Sequence, residues 1–572
     1  MFPVKASAFP RTVLHLTPGG TGTQASWERS LDPSTLRHEP GGRMTLTLEG
    51  ATFEWSFESQ PSVAREILAR AYVGLLVLDV RCSGLDLPEA DARCRAGLAF
   101  LDLLDDAEDV EARYPTHRIV ALVGGGPTAR VDDLVLELGR RGVGAVFRDV
   151  PDDAESFASK VVRHAARIVR ERRVGKTALC AAGGGITGIY FELGVLKCLD
   201  DCTAGAVSRF DLYFGISAGA VVAACLSAGF SPDELMAAIA RVPGGRIEPL
   251  DLSLLRLAHL NYRDMLRRFR EVLRVGARVL RDAPRRTSRE TMDELFLDYT
   301  ALLGPPFHSD RFGELMRRIL TQPGAVDDFR ALASPLFIGA SDQDARQHVL
   351  FGAEGHDRVP ISVAVQASLS VNPAFSAVRI EGRYFEDGAV TRTSNFVEAI
   401  RRGADLLFVV DPFVPYVSPE PGLSNRRGIL YNIDQDIRAM SFTRYENTRS
   451  WVLRKHPEVS SYTFLPGNRA RRLLSVNPMD HRPYLALWRA AYLSTLRRIH
   501  SVSHRLRGDL AVHGWTLDTT RADLVAEQLE RRVVPQLEDF FPDRRIELRR
   551  SPLAGEREIG RLSESAILFG AD

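Results

Sequence analysis

The chain has 572 residues, more than one hydrophobic core usually organises, so several domains are expected. Hydrophobic residues make up 45% and charged residues 26%, a balance that excludes a disordered chain. The 74 Lys and Arg nearly cancel the 73 Asp and Glu, and a net charge of +1 excludes a global field drawing the protein onto nucleic acid or membrane.

The opening MFPVKASAFPRT lacks the apolar core of a secretory signal, and no apolar run approaches the roughly 18 residues of a membrane span. The cysteines (Cys82, Cys94, Cys180, Cys198, Cys202 and Cys225) form neither CxxC pairs nor zinc spacing, and such sparse usage suits a reducing compartment. The expected location is cytoplasmic, with any membrane contact peripheral. Residues 1–61 read as a β-rich segment in which MTLTLEGATFEWSF alternates as a hairpin does. From 62 to 174 the short apolar runs GLLVLDV, HRIVALV and GAVFRDV alternate with helical patterns, which predicts a small parallel α/β domain. A new βα alternation runs from 175 to 415. Residues 416–572 read as mostly helical, with strand signals at SSYTFLP and RRIELRR.

Three segments of the 175–415 region carry chemistry. In KTALCAAGGGITGIYFELGVLK an apolar strand meets Gly183, Gly184 and Gly185 and then a helix, an arrangement whose free N–H groups suit a phosphate or an oxyanion, or merely a tight turn. In FDLYFGISAGAVVAACLSAGF, Ser217 lies between Gly215 and Gly219, with a strand before it and an Ala-rich helix from Ala218 after it. That is the context of a nucleophile elbow. In VRIEGRYFEDGAVTRTSN, Asp387 ends the second strand of a hairpin, a position that fits either a base reaching across a sheet or an ordinary Asp-Gly turn.

In this order the motifs GGGITG (183–188), GISAG (215–219) and DGA (387–389) resemble the patatin-like phospholipase family, over less than half the chain. The resemblance implies a patatin-like catalytic domain with a largely parallel sheet flanked by helices. It implies a Ser–Asp dyad with Ser217 as nucleophile and Asp387 as base, an oxyanion hole from the backbone of Gly183, Gly184, Gly185, Ile186 and Ala218, and neither metal nor cofactor. The family's loop commonly carries Arg or Lys where this chain has Thr187, which points toward a neutral ester or thioester. Two other readings stay open: a non-catalytic lipid- or partner-binding module, and an α/β-hydrolase triad using His456, His481, His500, His504 or His513.

Within an expected helical lid insert at about 245–345, Tyr262, Met265, Leu266, Phe269, Val272, Leu273 and Leu280 recur at helical spacing, opposite Arg263, Arg267, Arg268, Arg270, Arg274, Arg278 and Arg281. This basic helix, 262–283, ends before Pro284 and reads as an interfacial lid on anionic lipid or as a solvated helix over the site. The expected partner is thus a lipid or acyl ester, with no nucleic acid. The 62–174 region resembles a degenerate response-regulator receiver: LLVLDVRCSG carries Asp79 at the acceptor position, but Arg148 stands near the expected Lys and RTVLHL offers no acidic pair.

Overall fold

The computed structural model describes residues 11–541 apart from 40–42, 49–50, 106–112, 125–127, 150–155, 171–173, 244, 251–259, 283–304, 373, 457 and 478. The strand expected at RRIELRR and the stop at Pro284 lie outside the described residues. Two compact units emerge: residues 1–175, 449–461 and 499–517 form the first, and 176–448, 462–498 and 518–572 the second.

The first unit holds β1 (Thr12–Leu16), β2 (Leu36–Glu39), β3 (Arg43–Leu48), β4 (Ala51–Glu58), β5 (Leu75–Asp79), β6 (Ile119–Gly124) and β7 (Ala145–Asp149) in one sheet of order β2-β3-β4-β1-β5-β6-β7. From β4 to β7 all pairings are parallel, a doubly wound 2-1-3-4-5 order extended by the antiparallel β2 and β3. Residues alternate between two cores: Val13, Leu75 and Val77 pack with Trp27 and Trp55, while Leu14, Leu76 and Leu78 pack with Phe100 and Leu134. The helices α1 (Gly20–Ser30), α2 (Pro61–Arg70), α3 (Leu87–Asp105), α4 (Thr128–Arg140) and α5 (Phe157–Arg170) join the sheet, with the segments 449–461 and 499–517 completing the unit. The expected division at 61/62 is therefore absent. β1 pairs with β4 on one side and β5 on the other, so the hairpin strands extend the α/β sheet.

The second unit is built on β8 (Lys176–Ala181), β9 (Leu212–Ile216), β10 (Leu336–Asp342), β11 (His348–Phe351), β12 (Val378–Ile380), β13 (Arg383–Asp387), β14 (Ala404–Val410) and β15 (Ser460–Phe464). The order is β12-β13-β10-β9-β8-β14-β15, with β11 also paired to β10. The centre, β10-β9-β8-β14, is parallel, and its strands are mostly apolar and buried, with polar residues such as Lys176, Asp342 and Asp405 toward their ends, because helices cover both faces. α6 (Gly185–Cys202) follows β8 and is buried along nearly all its length; α7 (Ala218–Ser227) follows β9, and α8 (Pro232–Ile239) opens with a Ser231–Glu234 capping box.

Two expected boundaries shift. The insert stops short of Leu336, since LFIGASD is the buried β10 rather than part of a lid; its described helices are α9 (Tyr262–Asp282) and Asp310–Leu320. The 416–572 region is no single helical domain, because it contributes segments to both units and supplies β15 at SSYTFLP. Among the described residues no helix is long and apolar enough to cross a membrane.

Candidate active site

β9 ends at Ile216 and α7 begins at Ala218, which leaves Ser217 alone in the connection. Its backbone takes φ 53° and ψ −120°, a conformation that costs a non-glycine residue about 1–3 kcal/mol. The turn is this sharp because strand and helix touch. A Cβ on Gly215 would lie 2.5 Å from the Ala220 Cα, and one on Gly219 would lie 2.3 Å from the Ala181 carbonyl carbon. Gly two positions either side of the serine is thus a steric demand. Ser368 braces the turn from the helix Ile361–Ser368: its hydroxyl accepts the Ser217 N–H at 2.8 Å and donates to the Gly339 carbonyl at 2.7 Å.

Sheet register brings Asp387 to the serine. Ile216 of β9 lies opposite Gly339 of β10, and the next residue, Ala340, lies opposite Asp387 of β13. One Asp387 oxygen accepts the Ala389 N–H at 2.8 Å, and the Ser217 hydroxyl is its hydrogen-bonding side-chain neighbour. Burial, helped by the charge of Glu386, outweighs those two hydrogen bonds and pushes the Asp387 carboxyl up to about 6. A carboxyl so placed takes up and returns a proton near neutral pH.

The glycine loop lies on the same cavity. Gly184 caps α6 at φ 155° and Gly185 opens it at φ 68°. The first N–H groups of a helix have no acceptor within it, which leaves those of Gly185 and Ile186 without a partner inside α6. Gly183, Gly184, Gly185, Ile186, Ser217 and Asp387 all line one cavity of about 1040 Å³. Gly215, Ala218 and Gly219 are buried behind that wall and shape the turn. Leu193, Val222, Leu235, Phe312, Met316 and Leu369 make much of the wall apolar, with Asn372, Arg427, Tyr431 and Asp434 as polar members.

Thr187 is fully buried and its hydroxyl donates to the Gly184 carbonyl at 3.3 Å, so it braces the loop and leaves Arg427 as the cation among the described lining residues. No histidine lines the cavity among the described residues. His456, His500, His504 and His513 fall in the first unit, and His481 serves through its carbonyl, which accepts the Tyr190 hydroxyl at 3.1 Å.

Sequence reasoning missed the supports. Besides Ser368, the Ser341 hydroxyl donates to the Asp387 carbonyl at 2.9 Å, and Arg444 donates to the Ala389 carbonyl at 3.1 Å and the Val390 carbonyl at 3.3 Å, tying down the turn after the aspartate. Nothing in QASLS or SFTRYEN marks these residues, since their partners lie far away in the chain.

Asp79, the other strand-end aspartate singled out, has both oxygens occupied. Arg81 reaches them through Nε at 3.0 Å and Nη2 at 2.8 Å, the Thr17 hydroxyl adds a 3.2 Å bond, and Arg81 also reaches Asp149 at 3.0 Å. Burial works to raise the Asp79 carboxyl, but His15, 3.9 Å away, and Arg81 outweigh it and hold it well below the carboxylate range. Burial lowers the pKa of His15 itself, so the charge facing Asp79 is that of Arg81. Arg148 pairs instead with the exposed Asp132 at 3.1 Å.

No curated protein sequence matches the chain. Among solved structures, VipD from Legionella pneumophila aligns at 13% identity and a TM-score of 0.28, covering 63% of this chain and 74% of that one. The type III effector protein ExoU aligns at 14% identity and a TM-score of 0.20, covering 62% of this chain and 63% of that one. Residues 179–400 match the family model of the patatin-like phospholipases, and the glycine loop, Ser217 and Asp387 all lie inside that match.

Proposed function

We propose that this protein is a lipid acyl hydrolase in which Ser217 is the nucleophile and Asp387 the base. The observation that carries the reading is a serine held in a costly backbone conformation on the wall of a large apolar cavity, beside a buried carboxyl tuned to about 6. The cavity, about 1040 Å³, is at the upper end of the roughly 300–1,000 Å³ typical of small-molecule sites, which suits an acyl chain.

In the first half-reaction the Ser217 Oγ forms a bond to the acyl carbon and its proton passes to Asp387. The carbonyl oxygen becomes negative and is held by N–H groups of Gly184, Gly185 and Ile186, with Ala218 a further donor. Each such donor is worth roughly 3 kcal/mol to the transition state. The bond to the leaving alcohol then breaks, and Asp387 returns the proton to the alcohol oxygen. In the second half-reaction water attacks the acyl-enzyme while Asp387 takes its proton. The acid departs and Ser217 regains its hydrogen. The triad reading loses support because no histidine lines the cavity among the described residues.

The test is hydrolysis of a water-soluble aryl ester and of phospholipid vesicles by wild type, Ser217→Ala and Asp387→Ala. Turnover by wild type with both variants folded and inert is expected. An inert wild type that also escapes labelling at Ser217 by a serine-reactive phosphonate would overturn the reading in favour of a binding module.

A further inference from the structure

Every amphipathic helix of a globular protein has to cover its apolar stripe. The helix Asp310–Leu320 does so: Phe312, Leu315, Met316 and Ile319 are buried against the cavity while Arg311, Arg317 and Arg318 face out. α9 has the same kind of sequence and the opposite outcome. Tyr262, Met265, Leu266, Phe269 and Leu273 follow one another at the spacing of a single helical stripe, and each is between 49% and 58% exposed. The stripe is bordered by the exposed Arg267, Arg270 and Arg274. Across its 21 residues α9 carries seven arginines against Asp264, Glu271 and Asp282, whereas the whole chain is almost neutral.

α9 is also rooted at the site. The Asn261 N–H donates to the Pro306 carbonyl at 2.7 Å, and the Asn261 side chain caps the helix by accepting the Asp264 N–H at 3.2 Å. Phe307 bridges Leu260 to Phe375, and both Pro306 and Phe375 line the Ser217 cavity. A helix of about 30 Å therefore starts at the cavity wall with its apolar stripe uncovered among the described residues.

We propose that α9 is a docking surface for anionic lipid, which brings the cavity to its substrate; the proposal rests on the hydrolase reading of that same cavity. The chemistry is that of an interfacial helix. The aromatic and aliphatic stripe enters the acyl boundary, and the arginines meet the phosphates and carboxylates of the head groups. Neutral lipid satisfies only the first requirement, and a solvated helix would need neither an exposed Phe269 nor an exposed Leu273.

The experiment is flotation of the full chain with vesicles of phosphatidylcholine alone or with about one-third phosphatidylserine. Hydrolysis of a water-soluble ester is measured in parallel. Wild type is expected to float with the anionic vesicles and less with the neutral ones, with binding lost in high salt. Phe269→Ser/Leu273→Ser should lower partitioning about tenfold or more. Arg270→Gln and Arg274→Gln should each lower it about fivefold on anionic vesicles only. Soluble-ester turnover should stay at the wild-type rate in all of them. Equal binding by wild type and the stripe variant would overturn the proposal, as would no binding by a protein that turns over the soluble ester, or dimerisation that Phe269→Ser/Leu273→Ser abolishes in place of lipid binding. A protein that floats with anionic lipid yet turns over no ester would leave the docking surface standing and sink the hydrolase reading.

Discussion

Asp387 closes β13 in the second unit and Asp79 closes β5 in the first, and both are buried. Asp387 has a hydroxyl, one backbone N–H and another carboxylate nearby, so burial dominates and its carboxyl rises to about 6. Asp79 has His15 3.9 Å away and a guanidinium spanning both its oxygens, so the same burial is overridden and its carboxyl falls. The neighbour decides whether burial or pairing sets the charge of a strand-end aspartate. The two also respond to acid in opposite senses. The native state holds the Asp387 proton more tightly than an unfolded chain does, so stability drops as pH rises from the ordinary carboxylate value through about 6, leaving a standing cost at neutrality. The depressed Asp79 contributes stability that is present above the ordinary value and lost as pH falls below it.

The sharpest way to break this comparison is to exchange the carboxyls for amides. Ser217→Ala and Asp387→Asn should each lower kcat on a soluble ester by about 10⁴-fold or more, whereas Asp79→Asn should leave it within about twofold. Urea melts at neutral pH should show Asp387→Asn gaining up to about 3 kcal/mol, since the buried charge is gone. Asp79→Ala should cost the first unit about 3 kcal/mol in the same measurement by leaving Arg81 short of a partner, and the double variant Asp79→Ala/Arg81→Ala should cost less than the single one. The pH profile sharpens the contrast further. kcat/KM on the soluble ester should fall about tenfold per unit below about pH 6 as Asp387 is protonated, and a flat profile down to pH 5 would remove it as the base. Ser368→Ala should have the smallest effect, about tenfold or less in kcat with KM unchanged, because it loosens the Ser217 turn without touching substrate.

What could be read in the sequence was local. Gly215, Ser217 and Gly219 are legible because one turn imposes all three, and DGA is legible because Asp387 and Ala389 share a hydrogen bond two residues apart. Ser368 reaches the elbow from 151 positions away, and no periodicity encodes such a contact. The absence of a cation at Thr187 is legible in the motif; that its hydroxyl turns back onto the Gly184 carbonyl is not, because side-chain direction at a helix start is not written there. The sequence suggests a boundary at 61/62 because a hairpin pattern says nothing about which strand its outer partner will be, and in the structure that partner is β1. LFIGASD falls inside the expected insert because a short apolar run does not reveal that it will separate β9 from β13.

The conformation of Ser217 has a consequence for how this protein is kept in being. At φ 53° and ψ −120° a glycine would rest at ease, so Ser217→Gly should raise the melting temperature, by an amount equivalent to about 1 kcal/mol, while ending turnover. Selection for folding alone does not hold the serine there. Calorimetry of this one variant reads how much the backbone conformation at Ser217 costs the fold.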